Sequence, residues 1–314
     1  MDGGEGGEKG CLGRGGFGLL LGMEGTKLSE VAVVILGHGT EMNRQSAAPA
    51  RQHAETLNKR GCCAGVRSAF WKQTPRVQDV LQEIAATTKA SRIFIVPLFV
   101  SEGYFCTQVI PRELGFDYAG RREVEHAGIR QYYCDPVGTH PAMTEVIMAR
   151  ARAVVEESPF PRAPKLKNST LIIAGHGTER HAGSREAIAI QVSRIQKSGV
   201  FAHVQAAYME ESPHIKDSLS KVDTRHVVVV PFFISDGLHV VEDIPVLLGE
   251  PQALVKERLA TGKPTWRNPT EREGRLVWYG KAVGNEPLLA DVIWQRVRET
   301  AGLYSTPAVP SVSG

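Results

Sequence analysis

Leu171-Ile-Ile-Ala-Gly-His176-Gly-Thr178 is an apolar run that stops in Gly-His-Gly-Thr, and the same design occurs earlier as Val33-Val-Ile-Leu-Gly-His38-Gly-Thr40. Neither run alternates polar and apolar residues, which is the pattern of a strand buried on both faces of a sheet. Downstream landmarks keep register. His38 precedes Pro75 and His176 precedes Pro213 by the same 37 positions, with Phe70-Trp-Lys-Gln-Thr-Pro75 facing Tyr208-Met-Glu-Glu-Ser-Pro213. Ile93-Phe-Ile-Val-Pro97 continues to Gly103 as Val227-Val-Val-Val-Pro231 continues to Gly237, and each reaches Ile-Pro 14 positions after its first proline. Val137-Gly-Thr-His-Pro141 and Val283-Gly-Asn-Glu-Pro287 close the halves, each opening a helical pattern. Four matched landmarks in order mean an internal duplication.

Between these landmarks β-branched runs alternate with helical periodicity; Ile188, Val192 and Ile195 fall on one helix face. Strands alternating with helices imply right-handed crossovers and a parallel sheet covered on both sides. The expected fold class is α/β, two similar doubly wound, mostly parallel-sheet lobes facing across a cleft. The expected division is a Gly-rich disordered leader over 1–28 with Met23 an alternative start, an N-terminal lobe over 29–156, a linker over 157–168 with three prolines, a C-terminal lobe over 169–304 and a tail over 305–314. Gly13-Arg-Gly-Gly-Phe-Gly18 matches a dinucleotide fingerprint in spacing only, because no strand precedes it.

Composition removes several classes of function. With 37 Lys and Arg against 34 Asp and Glu the formal charge is +3, and no basic run with interleaved aromatics suggests nucleic acid. The five cysteines form no Cys-x-x-Cys pair, which argues against a zinc ribbon and for a reducing compartment. No apolar run reaches the roughly 18 to 20 residues of a membrane span, so a soluble, cytoplasmic protein is expected. No Gly-x-x-x-x-Gly-Lys-Ser/Thr is present, and nucleotide coupling is not expected.

Chemistry concentrates at strand ends, where parallel sheets gather ligands. His176 stands at one, and the loop Ser235-Asp236-Gly237-Leu238-His239 follows another. Two strand-end imidazoles suit a divalent transition metal and leave coordination positions open. Glu210, at the end of the intervening strand, is expected either to act as an oxygen ligand or acid/base or to be a solvated helix-start residue. In the first half Phe105 aligns with His239 and Lys72 with Glu210, so His38 has no metal-binding companion and the N-terminal site is expected to be degenerate. Arg180, His181, Arg185, Arg44 and Arg51 are candidate cations for an acidic ligand.

Gly-His-Gly-Thr together with Pro-Phe-Phe-x-Ser-x-Gly-x-His-x-x-x-Asp-Ile-Pro over residues 231–245 resembles the class II chelatases, in the long, duplicated form of the sirohydrochlorin cobaltochelatase and ferrochelatase family. The resemblance spans residues 30 to about 300 and implies ATP-independent insertion of Co²⁺ or Fe²⁺ into sirohydrochlorin, toward cobalamin or sirohaem. It implies that His176 is general base and metal ligand and His239 the second metal ligand. It also implies that Ser235, Asp236, Gly237 and Leu238 lie along the tetrapyrrole and that Glu210 is an acidic residue near the metal. The expected partners are a sirohydrochlorin-like tetrapyrrole and the metal, with a monomer of two fused lobes sufficing. A non-catalytic tetrapyrrole or metal carrier would use the same histidines. A histidine-nucleophile phosphatase fits poorly, because glycine and not arginine precedes each histidine.

Overall fold

The computed structural model describes residues 27–40, 44–159, 162–177 and 183–304. Each half forms a five-stranded sheet. In the first, β1 (Val31–Gly37), β2 (Gly65–Phe70), β3 (Arg92–Pro97), β4 (Glu123–His126) and β5 (Ile129–Tyr133) run in the order β2-β1-β3-β5-β4. In the second, β6 (Ser169–Gly175), β7 (His203–Tyr208), β8 (His226–Pro231), β9 (Thr270–Arg272) and β10 (Arg275–Tyr279) repeat it as β7-β6-β8-β10-β9. All pairs are parallel except the edge hairpins β4/β5 and β9/β10. The expected fold class holds, and the duplication is visible strand by strand.

Strand alternation divides the core. Val31, Val33 and Ile35 of β1, Phe94 and Val96 of β3, Leu171 and Ile173 of β6, and Val228 and Val230 of β8 point into one shared hydrophobic cluster. The intervening residues of β1 and β3 point to a cluster private to the first sheet, and those of β6 and β8 to one private to the second. The shared cluster is completed by the apolar faces of α1 (Ala48–Arg60), α4 (Met143–Glu157), α5 (Gly183–Ser198) and α8 (Leu289–Leu303), a helical layer between the sheets. On the outer face α2 (Val77–Thr87) and α3 (Ile110–Glu113) cover the first sheet, while α6 (Ile244–Leu247) covers the second. The second lobe also carries α7 (Gln252–Ala260).

The last helix of each half crosses over. α4 packs against β8 and β10 of the second sheet, and α8 packs against β3 of the first. Trp278 Nε1 of β10 donates to the Ser158 carbonyl, and the Tyr304 ring lies 5.1 Å from Tyr132 of β5. The buried Arg296 guanidinium of α8 donates to the Pro136 carbonyl from both Nε and Nη2, at 3.1 and 2.9 Å. The expected division at residues 156/157 therefore separates repeats of sequence but not independently packed bodies. Each sheet borrows its closing helix from the other repeat, and the innermost core belongs to both. The leader up to residue 26, the tail and part of the proline linker lie outside the described residues. Among the described residues no helix is long and apolar enough to cross a membrane.

Candidate metal centre

His176 follows the last residue of β6. Its Nδ1 lies 2.8 Å from the carbonyl oxygen of Gly177. A carbonyl only accepts, so Nδ1 carries the proton and Nε2 presents a bare lone pair. The backbone reaches this geometry because Gly177 has φ +70°, and a Cβ there would stand 2.7 Å from Tyr208 Cβ and from Glu211 Cγ.

His239 approaches from the loop after β8. It opens a π-helical turn, His239–Asp243, in which the Ile244 amide bonds the His239 carbonyl. Widened by one residue, the turn sets Asp243 Oδ2 2.7 Å from His239 Nδ1. The carboxylate fixes the tautomer as the Gly177 carbonyl does for His176, and again Nε2 is left to a metal. The two imidazole rings stand 5.0 Å apart between centroids at 79°. Glu210 Oε1 lies 3.6 Å from His176 Nε2, with its side chain 59% exposed. It sits in a bend after β7 and starts no helix, since the next element is the short 3₁₀ turn Ile215–Asp217. Among the described residues no three His, Cys, Asp or Glu side chains form a ready-made metal cage. The centre is a pair of oriented imidazoles with one carboxylate beside it, open on the remaining sides.

The loop from Ser235 to Leu238 is held from beneath. Asp236 accepts the Ala282 amide on Oδ1 at 2.7 Å and Asn285 Nδ2 on Oδ2 at 2.8 Å, so both its oxygens are committed to positioning the loop. The Gly284 amide bonds the Phe233 carbonyl at 3.0 Å. Above this support Leu238 is 62% exposed. Ser235 lines a cavity of about 270 Å³ shared with the other lobe's Gly37, His38 and Ser46. A larger groove of about 630 Å³ between α1, β2 and α2 contains none of the candidate metal-site side chains.

Of the cations expected to meet an acidic ligand, Arg185 pairs with Glu211 at 3.6 Å and Arg51 lies over the Phe70 ring at 5.8 Å. Arg180, His181 and the Arg44 side chain lie outside the described residues. Burial pushes the thiols of Cys106 and Cys134 up to about 12, which makes them poor metal ligands. His140 is buried, with its Nε2 3.1 Å from Glu299 Oε1. It is a buried part of the scaffold, where the sequence suggests a surface or loop histidine.

Sequence reasoning overlooked Asp243. Its signal was present: where the second half reads His239 followed four positions later by Asp243, the first half reads Phe105 and Val109. The imidazole and its supporting carboxylate are replaced together. The first lobe otherwise keeps the frame, including a π-helical turn over Phe105–Val109 and a 2.8 Å contact from His38 Nδ1 to the Gly39 carbonyl.

Paired α/β lobes with oriented histidines at the carboxyl ends of one sheet define a duplicated class of cleft protein. Comparison with known proteins fixes the family: the CbiX pattern matches residues 32–154 and again 170–300. The chain belongs to the CbiX family and carries two copies of its domain. It is 39% identical over 295 residues to a probable sirohydrochlorin cobaltochelatase of Halobacterium salinarum, covering 90% of this chain and 95% of that protein. A sirohydrochlorin cobaltochelatase of Methanopyrus kandleri is 26% identical over 140 residues, covering 42% of this chain and 96% of the relative. Among solved structures, a multi-domain Deinococcus radiodurans protein with structural similarity to chelatases superposes with a TM-score of 0.67 at 26% identity, over 85% of this chain and 54% of that one. Bacillus subtilis SirB, solved with Fe³⁺, gives 0.63 at 17% identity over 87% and 96%, a likeness of fold.

Proposed function

We propose that this chain inserts a divalent metal ion, Co²⁺ or Fe²⁺, into sirohydrochlorin, without ATP, at the centre formed by His176 and His239. The observation that carries the proposal is the matched orientation of the two imidazoles. Each Nδ1–H is held by an acceptor, and the rings lie 5.0 Å apart with each Nε2 lone pair available. Family membership and the 39% identity to a probable cobaltochelatase supply the reaction class.

The metal is the substrate, and a site with two protein nitrogens suits a substrate that must leave. Two imidazoles hold the ion and keep further positions open, into which pyrrole nitrogens enter one at a time as imidazoles are released. Two N–H protons leave the macrocycle for each metal that enters. Glu210, 3.6 Å from His176 Nε2, is placed to receive one of them, and the His176 imidazole, freed as the metal departs, accepts another. The exposed Leu238 and the cleft face of Ser235 provide the surface along which the macrocycle lies.

The test is anaerobic absorbance of sirohydrochlorin mixed with the protein and Co²⁺ or Fe²⁺, beside a His239→Ala control. Catalysed spectral conversion lost in the control is the expected result, and the relative rates with the two ions assign the metal. Binding of sirohydrochlorin without faster conversion would replace the chelatase reading with that of a carrier.

A further inference from the structure

The duplication leaves a second strand-end centre in the first lobe, and what occupies it differs in kind from the first. His38 takes the place of His176 with the same Nδ1 tether. Around it stand Trp71, 5.5 Å away, and Phe105, 5.7 Å away, and these two rings are 4.9 Å apart. Trp71 is held by a 2.8 Å hydrogen bond from Nε1 to Glu113. Lys72 Nζ lies 4.7 Å from the Trp71 ring centroid and 5.6 Å from that of Phe105, and among the described residues it has no carboxylate partner. The metal ligand has become phenylalanine, its carboxylate support valine, and the nearby Glu210 a lysine. An ammonium at this point repels a divalent cation, and burial together with Lys72 holds the His38 pKa below its ordinary value.

The cluster is not fully packed away. Phe105 is 40% exposed, and its neighbour Tyr104 53%. His38 borders the cavity of about 270 Å³ that Ile234 and Ser235 of the other lobe also line, so this histidine and the loop of the second-lobe centre reach the same opening. Aromatic faces with an unpaired ammonium beside them match a flat, conjugated molecule with carboxylates at its rim.

We propose that the first lobe's centre is a metal-excluding docking site for the metal-free tetrapyrrole, with Trp71 and Phe105 as the stacking surface and Lys72 as the partner of a peripheral carboxylate. The proposal rests on the sirohydrochlorin reading above. One lobe then handles the metal and the other recruits the macrocycle, so that the two substrates do not compete for the same imidazoles.

The test is a titration of the full chain with metal-free sirohydrochlorin in the presence of a chelator, followed by the macrocycle's fluorescence. A separate calorimetric titration uses Co²⁺ alone. Lys72→Glu is expected to weaken macrocycle binding at least about ten-fold, Lys72→Arg to restore most of it, and Trp71→Phe with Phe105→Leu to weaken it comparably, all without moving Co²⁺ affinity. His176→Ala with His239→Ala is expected to do the reverse. Should wild type and Lys72→Glu bind the macrocycle equally, the docking site is refuted while the chelatase proposal stands. Should wild type bind no sirohydrochlorin at all, the chelatase proposal fails and takes the docking site with it. Loss of Co²⁺ affinity in Lys72→Glu would also overturn the division of labour.

Discussion

Removing the Asp243 carboxylate should weaken Co²⁺ binding by about ten-fold. Outer-shell partners of metal-binding histidines contribute roughly 10- to 100-fold to affinity. The 2.7 Å separation from Oδ2 to His239 Nδ1 places this contact among charge-assisted hydrogen bonds. Both partners are about half exposed, 51% for His239 and 44% for Asp243, so solvent screening puts the effect at the lower end of that range. Ten-fold corresponds to about 1.4 kcal/mol. Asp243→Ala should show this loss in calorimetric titration with Co²⁺. Asp243→Asn, whose amide oxygen still accepts from Nδ1–H, should lose only about three-fold. In a His239→Ala background Asp243→Ala should change the residual affinity by less than about two-fold, because the carboxylate acts through the ring that is missing. An equal loss with and without His239 would show that Asp243 binds the metal directly or shapes the site by another route, and would refute the reasoning.

Four further outcomes are expected. Glu210→Gln should lower the turnover of metal insertion by about 100-fold while moving Co²⁺ affinity less than about three-fold; a drop in affinity would make Glu210 a ligand and not a proton acceptor. The pair Phe105→His with Lys72→Glu, joined by Val109→Asp, rebuilds the second-lobe arrangement in the first, and calorimetry should find one additional Co²⁺ per chain. At Gly284 a Cβ would stand 1.8 Å from the Ile234 carbonyl oxygen, so Gly284→Ala should destabilise the fold by about 3 kcal/mol in denaturant titration and displace the loop that leads to His239. Burial, with Arg150 and Arg60 nearby, holds the pKa of His53 below the ordinary 6.5, so the unfolded chain binds a proton that the native chain refuses. Stability therefore rises with pH through the window below 6.5 and is lost as pH falls from there toward the depressed native value. His53→Gln, which can still donate to the Gly284 carbonyl as Gln191 of the second lobe does to the His140 carbonyl of the first, should make thermal stability fall less than in wild type between about pH 7.5 and pH 5.5.

The duplicated, mostly parallel strands were legible because apolar runs end on motifs that recur in register, whereas their order in each sheet comes from the structure alone. Two copies of the same pattern constrain each other more than one does. The exchange of α4 and α8 was not legible. Both helices are apolar on one face, and that periodicity says that a helix is buried but not which sheet buries it. Only the linker length and the three-dimensional frame decide that α4 meets β8 and β10. The pair His176 and His239 could be read from position, since both follow strand ends. The tautomers could not, because they depend on a carbonyl one residue away and on a π-helical turn that brings residue 243 under residue 239. Leu238 is exposed on the loop, whereas Asp236, expected with it along the macrocycle, spends both oxygens on holding that loop in place.

The helix exchange also bears on why one lobe is free to diverge. If the halves were separately packed, losing the metal site in one would leave a dispensable domain. Here α8 of the second repeat closes the first sheet, and His53 of the first repeat donates to Gly284, the residue that underpins the second repeat's loop. The first lobe is thus part of the support of the metal centre whatever stands at its own strand ends. On the proposed reading its scaffold must be kept, while positions 71, 72, 105 and 109 need serve no metal. Those four positions now hold Trp, Lys, Phe and Val where the other half holds Met, Glu, His and Asp. Three of the changes would be expected of any lost metal site, but relaxation alone does not place an ammonium without a carboxylate partner among the described residues beside two aromatic rings, one of them 40% exposed. That residue pattern separates a decayed site from one put to another use, and Lys72→Glu is the substitution that decides between them.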